Sequence, residues 1–173
     1  MKRRIGWVVV LGLLWAVNAF AIDSEHSRLT LKGLKGVHVI VEDLQPNVMK
    51  YEKYIRKNRL DRDVLKADVE AALRSAGVRV LTWQEMLRTK GQPVLYLNIN
   101  THESEKYWYA YDVRVELRQV VSLEINPKMK TMVGTWSLNA TGIANIGNLN
   151  VIKNDAMMLV GKFVSAYKMV NKK

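Results

Sequence analysis

The chain has 173 residues, no cysteine, and 27 Lys+Arg against 16 Asp+Glu, a formal net charge of +11. Without cysteine there is no disulfide brace, no thiol nucleophile, no thiolate metal site and no lipobox for acylation, so packing alone must hold the fold. The length suits a single domain with a real core, and neither an internal repeat nor a second domain shows in the pattern.

Residues 1–21 open with Lys2-Arg3-Arg4, continue through an apolar run over 5–17 and end on Ala19-Phe20-Ala21. A charged start, a short apolar middle and small residues two apart make a secretory signal peptide, cut after Ala21. The run is shorter than the roughly 20 residues that span a bilayer, although a retained N-terminal anchor is the competing reading. No later stretch approaches that length. The expectation is therefore an exported, periplasmic, soluble protein that is not a lipoprotein and begins at Ile22. Export makes nucleic acid an unsuitable partner. It turns the basic balance toward anionic lipid, polysaccharide or an envelope protein.

Residues 22–35 are polar and weakly patterned and are expected to lead into a single α+β domain over 36–173. Residues 36–42 alternate, with Val37, Val39 and Val41 on one face, and form the first strand. Residues 43–60 hold Pro46 and the basic stretch 50–59, expected as a solvated loop with at most a helical turn. Asp61 is an N-cap, Leu65, Val69, Leu73 and Ala76 recur at helical spacing, and Gly77 is a stop, so a helix covers 62–76. Residues 78–83 are expected as a second strand.

Three longer strands follow. Residues 94–101 place Leu95, Leu97 and Ile99 on one face, and residues 107–125 place Tyr109, Tyr111, Val113, Val115 and Leu117 on one face. A hairpin through 102–106 pairs Ile99 with Tyr109 and Leu97 with Tyr111, keeping both apolar sets on one side. Residues 131–142 form the last strand, joined by a turn at 126–129 that pairs Leu123 with Met132 and Leu117 with Leu138. Gln119 falls on the apolar face, and a bulge near Val120-Val121 would turn it outward. A Gly/Asn loop leads into a final helix over 150–169. The order strand, helix, four strands, helix predicts a two-layer α+β sandwich, with a mixed or antiparallel sheet of about five strands and two helices on one face.

The string 68–81 (Asp-Val-Glu-Ala-Ala-Leu-Arg-Ser-Ala-Gly-Val-Arg-Val-Leu), the string 92–100, Thr135-Trp136-Ser137 and residues 162–167 resemble a family of small exported bacterial proteins with no assigned role. The resemblance covers most of the mature chain. It implies one exported domain and carries over no catalytic residue.

No Gly-x-Ser-x-Gly elbow, phosphate-loop lysine or fixed metal-ligand spacing is present, and no cofactor is expected. An enzyme would have to draw on His38, His102, Asp112 or Glu116 on the open sheet face, as in a small periplasmic hydrolase. Two binding surfaces stand out instead. One is the open sheet face, where Trp108, Tyr96, Arg114 and Arg118 offer exposed aromatics among charged groups. The expected register puts Trp108 beside Asn100 and Tyr96 beside Asp112, and the competing reading covers this face with residues 22–35. The other is the basic stretch, where Lys50, Lys53, Arg56 and Lys57 interleave with Tyr51, Tyr54 and Ile55 in a pattern suited to anionic head groups. A sheet edge that pairs with another chain is a third possibility, and the oligomeric state is open.

Overall fold

The structure, a computed structural model, describes residues 23–171. The expected signal peptide lies outside them. Their elements run in the order α1 (Glu25–Leu29), β1 (His38–Val41), α2 (Pro46–Met49), α3 (Glu52–Lys57), α4 (Arg62–Ser75), α5 (Trp83–Arg88), β2 (Val94–Glu105), β3 (Trp108–Leu123), β4 (Asn126–Asn145), a single 3-10 turn and α6 (Asn150–Val170). One four-stranded sheet has the order β1-β2-β3-β4. β1 lies parallel to β2, and β2, β3 and β4 form an antiparallel meander. The fold is α+β. Among the described residues no helix is long and apolar enough to cross a membrane.

The second strand expected at 78–83 is reduced to one parallel bridge between Val37 and Val80, so the sheet has four strands and not about five. The chain then turns into α5, because Thr82 and Glu85 form a capping box: each side chain accepts from the other residue's backbone N–H. The last two residues of the expected strand, Thr82 and Trp83, are the cap and first turn of that helix.

One face of the sheet carries the core. Val39 and Val41, then Leu95, Leu97 and Ile99, then Tyr109, Val113, Val115 and Leu117, and finally Trp136 and Leu138 are all buried there. α4 packs on β1 and on α6, and α6 packs on β3 and β4. α4 begins where Asp61 accepts from the N–H groups of Asp63 and Val64 and buries Leu65, Val69 and Leu73. It ends at Gly77, whose φ of +80° suits glycine. α6 buries Ile152, Ala156, Leu159, Val160, Phe163 and Ala166. Trp136 meets Phe163 edge-to-face at 5.3 Å.

Residues 23–35, expected as a leader, hold α1 and close this core rather than covering the opposite face. Asp23 accepts from Trp136 Nε1 at 2.8 Å and from Arg28 at 2.7 Å, Leu31 is fully buried, and Tyr167 Oη donates to Leu34 O at 3.2 Å. Asn171 joins the same segment by donating to Leu31 O at 2.9 Å.

The β2–β3 register shifts by four residues and the β3–β4 register by two as far as Leu117, so side chains there keep their face; beyond the bulge at Thr135 the shift is odd, and Met132, expected on the apolar face, turns to the outer one. Leu97 pairs with Val115 and Ile99 with Val113, because β2 runs on to Glu105 and turns at Lys106-Tyr107. Tyr107 sits at φ +70°, a conformation that nothing in a tyrosine announces. At the other end Leu123 pairs with Asn126 around Glu124-Ile125, and residues 127–129 bulge out before Lys130 pairs with Ser122. A further bulge lies at Thr135, between the partners of Leu117 and Arg118, not at Val120-Val121. Gln119 stays on the helix-covered side and is satisfied there, donating to Thr135 Oγ1 at 2.8 Å and Thr30 O at 3.2 Å.

Candidate functional site

The face opposite the core is built by the alternate residues of the same strands: Tyr96, Asn98, Asn100 and His102 of β2, the even-numbered residues 108–118 of β3, and Ser137, Asn139, Thr141 and Ile143 of β4. One end is not open. Met86 of α5 packs with Val94, Ile40 and Tyr96, and the Trp83 ring stands edge-on to His38 at 5.6 Å. A cavity of about 220 Å³ remains there, lined among others by Trp83, Leu87, Tyr96, Arg118 and Met132. Two helices on one face and none on the other is thus corrected: α5 occupies part of the outer face.

Beyond α5 the outer face is a strip of mutually ordered polar groups. The Tyr96 hydroxyl and the Asn98 amide both donate to one carboxylate oxygen of Glu42. Asn100 donates to Asn98 Oδ1 at 2.6 Å, and Gln45 donates to Asn100 Oδ1 at 3.0 Å. Arg118 Nε donates to Glu116 at 2.8 Å while its guanidinium lies 3.5 Å over the Tyr96 ring. Burial, and then the Glu42 carboxylate, push the Tyr96 hydroxyl above its ordinary pKa. Gly134 makes this arrangement possible, since a Cβ there would overlap the Glu116 carboxylate. Asn139 donates to Asp112 Oδ1 at 3.1 Å.

Arg114 stands at the middle of the strip, directly between Asn98 and Asn139 on the neighbouring strands. It is exposed, and its side chain makes no hydrogen bond or ion pair among the described residues. Its five side-chain N–H groups are therefore unengaged, on a surface where Arg118 is paired with Glu116 and the carboxylates of Glu42 and Asp112 accept from neutral donors. Toward the β2–β3 turn the strip falls into a shallow depression of about 680 Å³, lined by Gln45, His102, Asp112, Thr141 and Ile143 among others.

The register decides which expected residues meet. Tyr96 lies beside Glu116, and Trp108 lies beside Glu105 at the turn. The two aromatics are thus separated by about 27 Å along β3 and do not form one site. Tyr96, Arg114 and Arg118 share the strip; Trp108 belongs to its far end. His38 pairs with Val94 and His102 with Ala110, so the two histidines sit at opposite ends of β2. His38 Nδ1 is also bonded to Leu81 O at 2.9 Å.

Residues 43–60, expected as a loop, hold α2 and α3, and the basic stretch forms α3 and lies against the β2–β3 turn, with Tyr51 and Tyr107 in edge contact at 5.7 Å. Much of its charge is locally engaged. Lys50 bonds Glu103 at 2.6 Å, Arg56 bonds Glu52, and Arg59 reaches Asp68 at 3.4 Å. Lys53 and Lys57 remain exposed.

Sequence reading missed α5 and the Glu42–Asn98–Asn139 framework. Thr82-x-x-Glu85 ahead of Met86-Leu87 was the available signal for the first. For the second there was none, because the partners are brought together by register. Among the described residues no group of three or more His, Asp or Glu is placed to hold a metal ion. No protein-family model matches this chain, and no curated protein or solved structure matches it either.

Proposed function

We propose that the protein is a non-enzymatic accessory protein of the bacterial envelope, exported to the periplasm and released after Ala21, which holds a polysaccharide strand along the outer face of its sheet. The reading treats the molecule as two layers, with the helical layer supporting the sheet and the uncovered strip acting as the working surface. One observation carries it: Arg114 is exposed and unpaired at the centre of an amide and hydroxyl ladder whose other members already hold one another in place. Hydroxyl-rich ligands are recognised by such ordered planar groups, and preordering lowers the entropic cost of binding. The strip carries the carboxylates of Glu42, Asp112 and Glu116 against the guanidinium groups of Arg114 and Arg118, which favours a ligand of hydroxyls over a polyanion.

The hydrolase reading retains one observation, that His102 and Asp112 line the same depression. Calorimetric titration of the purified protein with soluble polysaccharide fragments from its host envelope tests both. Binding that Arg114→Ala weakens about tenfold or more supports the proposal. No binding, or binding indifferent to Arg114, refutes it. Progressive shortening of the fragments during incubation supports the hydrolase instead.

A further inference from the structure

β3 and β4 continue well past the body of the protein. The last contact with it is Val120 N donating to Gly91 O at 2.7 Å, after which the two strands run on as an arm capped by Glu124-Ile125 and the bulge 127–129. From the spacing of strand residues the arm projects about 15 Å. Its end is apolar and basic: Ile125 is 95% exposed and Met129 52% exposed, and Lys128 and Lys130 flank Met129. Glu124 is the single acid between residues 117 and 134.

At the foot of the arm lies a cleft of about 400 Å³, lined by Lys32, Lys35 and Lys90 with Gly33, Gly91 and Gln119 and no carboxylate. Gly33 and Gly91 have φ of +78° and +81°, which lets two tight turns present their lysines to one space. None of Lys32, Lys35, Lys90, Lys128 and Lys130 has an ion-pair partner among the described residues; other cations without one, Lys53, Lys57, Lys106 and Arg114 among them, lie elsewhere on the surface. What sets this end apart is five unpaired lysines with Glu124 as the one acid of the arm and no carboxylate in the cleft, beside the most exposed apolar side chain, Ile125.

We infer that this end docks on an anionic phospholipid bilayer, with Ile125 and Met129 entering the interfacial region and the arm and cleft lysines meeting lipid phosphates. A protein partner fits less well. A two-stranded arm offers a narrow tip, far from the roughly 800 Å² per partner of a stable protein interface, whereas one or two inserted apolar side chains with several lysines suffice at a charged membrane surface. The inference is independent of the outer-face reading.

Co-sedimentation with phosphatidylglycerol-containing vesicles, and with phosphatidylcholine vesicles as the neutral reference, tests it. The protein as recovered from its host should bind the anionic vesicles, and binding should fall with added salt. Ile125→Ser/Met129→Ser and Lys128→Glu/Lys130→Glu should each reduce the partition coefficient tenfold or more, and Lys35→Ala/Lys90→Ala about tenfold. Lys53→Ala/Lys57→Ala should leave it unchanged. Every substituted side chain is at the surface, and an unchanged unfolding midpoint verifies folding. Equal partition of the arm variants and the parent, loss of partition in Lys53→Ala/Lys57→Ala, or no preference for anionic vesicles overturns the inference. Polysaccharide titration of the arm variants separates this failure from that of the outer-face site.

Discussion

Asp23 gives the sharpest test of how the N-terminal segment closes the core. Its carboxylate accepts from the indole N–H of Trp136, a residue with no exposed surface, and from two nitrogens of Arg28 at 2.7 and 2.8 Å. Asp23→Ala leaves the indole N–H buried without an acceptor, at about 1–3 kcal/mol. It also removes a partly exposed ion pair contributing about 0–1 kcal/mol. With about 2–4 °C per kcal/mol for a chain of this size, the melting temperature should fall by about 2–16 °C. Asp23→Asn retains an oxygen for the indole and loses only the charge, so its loss should be about 1 kcal/mol or less. Arg28, as hydrogen-bond donor, holds the Asp23 carboxyl below the ordinary aspartate pKa. A depressed carboxylate contributes stability above the unfolded-state value and loses it as pH falls through the folded-state value. The gap between the parent and Asp23→Asn should therefore close below about pH 4. Thermal unfolding followed by circular dichroism at pH 3 and pH 7 measures both effects. If the Ala and Asn variants melt together at pH 7, the indole bond contributes nothing and the reasoning fails. The expected cut after Ala21 leaves Asp23 second in the mature chain, so a cut two residues later should reproduce the Asp23→Ala loss.

Burial pushes the hydroxyls of Tyr109 and Tyr111 up to about 12, with nearby Glu103 and Asp155 respectively adding to it. A raised pKa means that stability is full below the unfolded-state value of about 10 and is lost as pH rises through the folded-state value. Urea midpoints should hold to about pH 10 and drop between there and pH 12, and a flat profile would contradict the burial of these two rings. Two glycines should respond with opposite sign to alanine. At Gly142 a Cβ would lie 2.5 Å from Tyr111 Oη, which is held by Asp155 at 2.6 Å, so Gly142→Ala should cost about 1–3 kcal/mol. At Gly161, inside α6 with nothing within 4 Å, the same change should gain about 0.5–1 kcal/mol by helix propensity, both read as shifts in urea midpoint.

Elements whose signals are local were legible in the sequence. The Asp61 cap, the Leu65–Val69–Leu73 spacing and Gly77 define α4 almost to the residue, and the buried stripe of α6 reads equally well. Alternation also assigned the faces of β2, of β3 and of β4 beyond the bulge at Thr135, but not that of Met132 before it. It left the register open, because any even slip satisfies it, and the deciding features were a tyrosine at positive φ and a bulge of three residues beside a two-residue turn. Short helices were hidden for a related reason: α1, α2 and α3 bury few side chains each, Ser27, Val48 and Ile55 among them, too few to form a stripe. Of the candidate site, Tyr96, Arg114 and Arg118 could be named from alternation, but not Glu42 or Asn139, whose roles depend on which residue stands opposite.

Charge shows the same division between what proximity in sequence reveals and what the fold decides. The run 50–59 is the densest cluster of cations along the chain, yet acids at Glu52, Asp68 and Glu103 engage Arg56, Arg59 and Lys50. Lys32 and Lys90 are far apart in sequence and carry no local signal. They meet because residues 32–35 and 89–91 both border the stretch of β3 at Gln119-Val120, from which the arm departs. Net charge alone therefore cannot say which surface an anion meets; the pairing pattern can. The arm is also a continuation of β3 and β4, whose outer-face residues from Glu116 back to Ala110 form the polar strip. An arm held at a bilayer makes the strip run away from the membrane along the strand direction, with Arg114 about 35 Å from Ile125. That geometry leaves the strip accessible while the arm is engaged, so vesicle binding and polysaccharide binding should be additive rather than competitive.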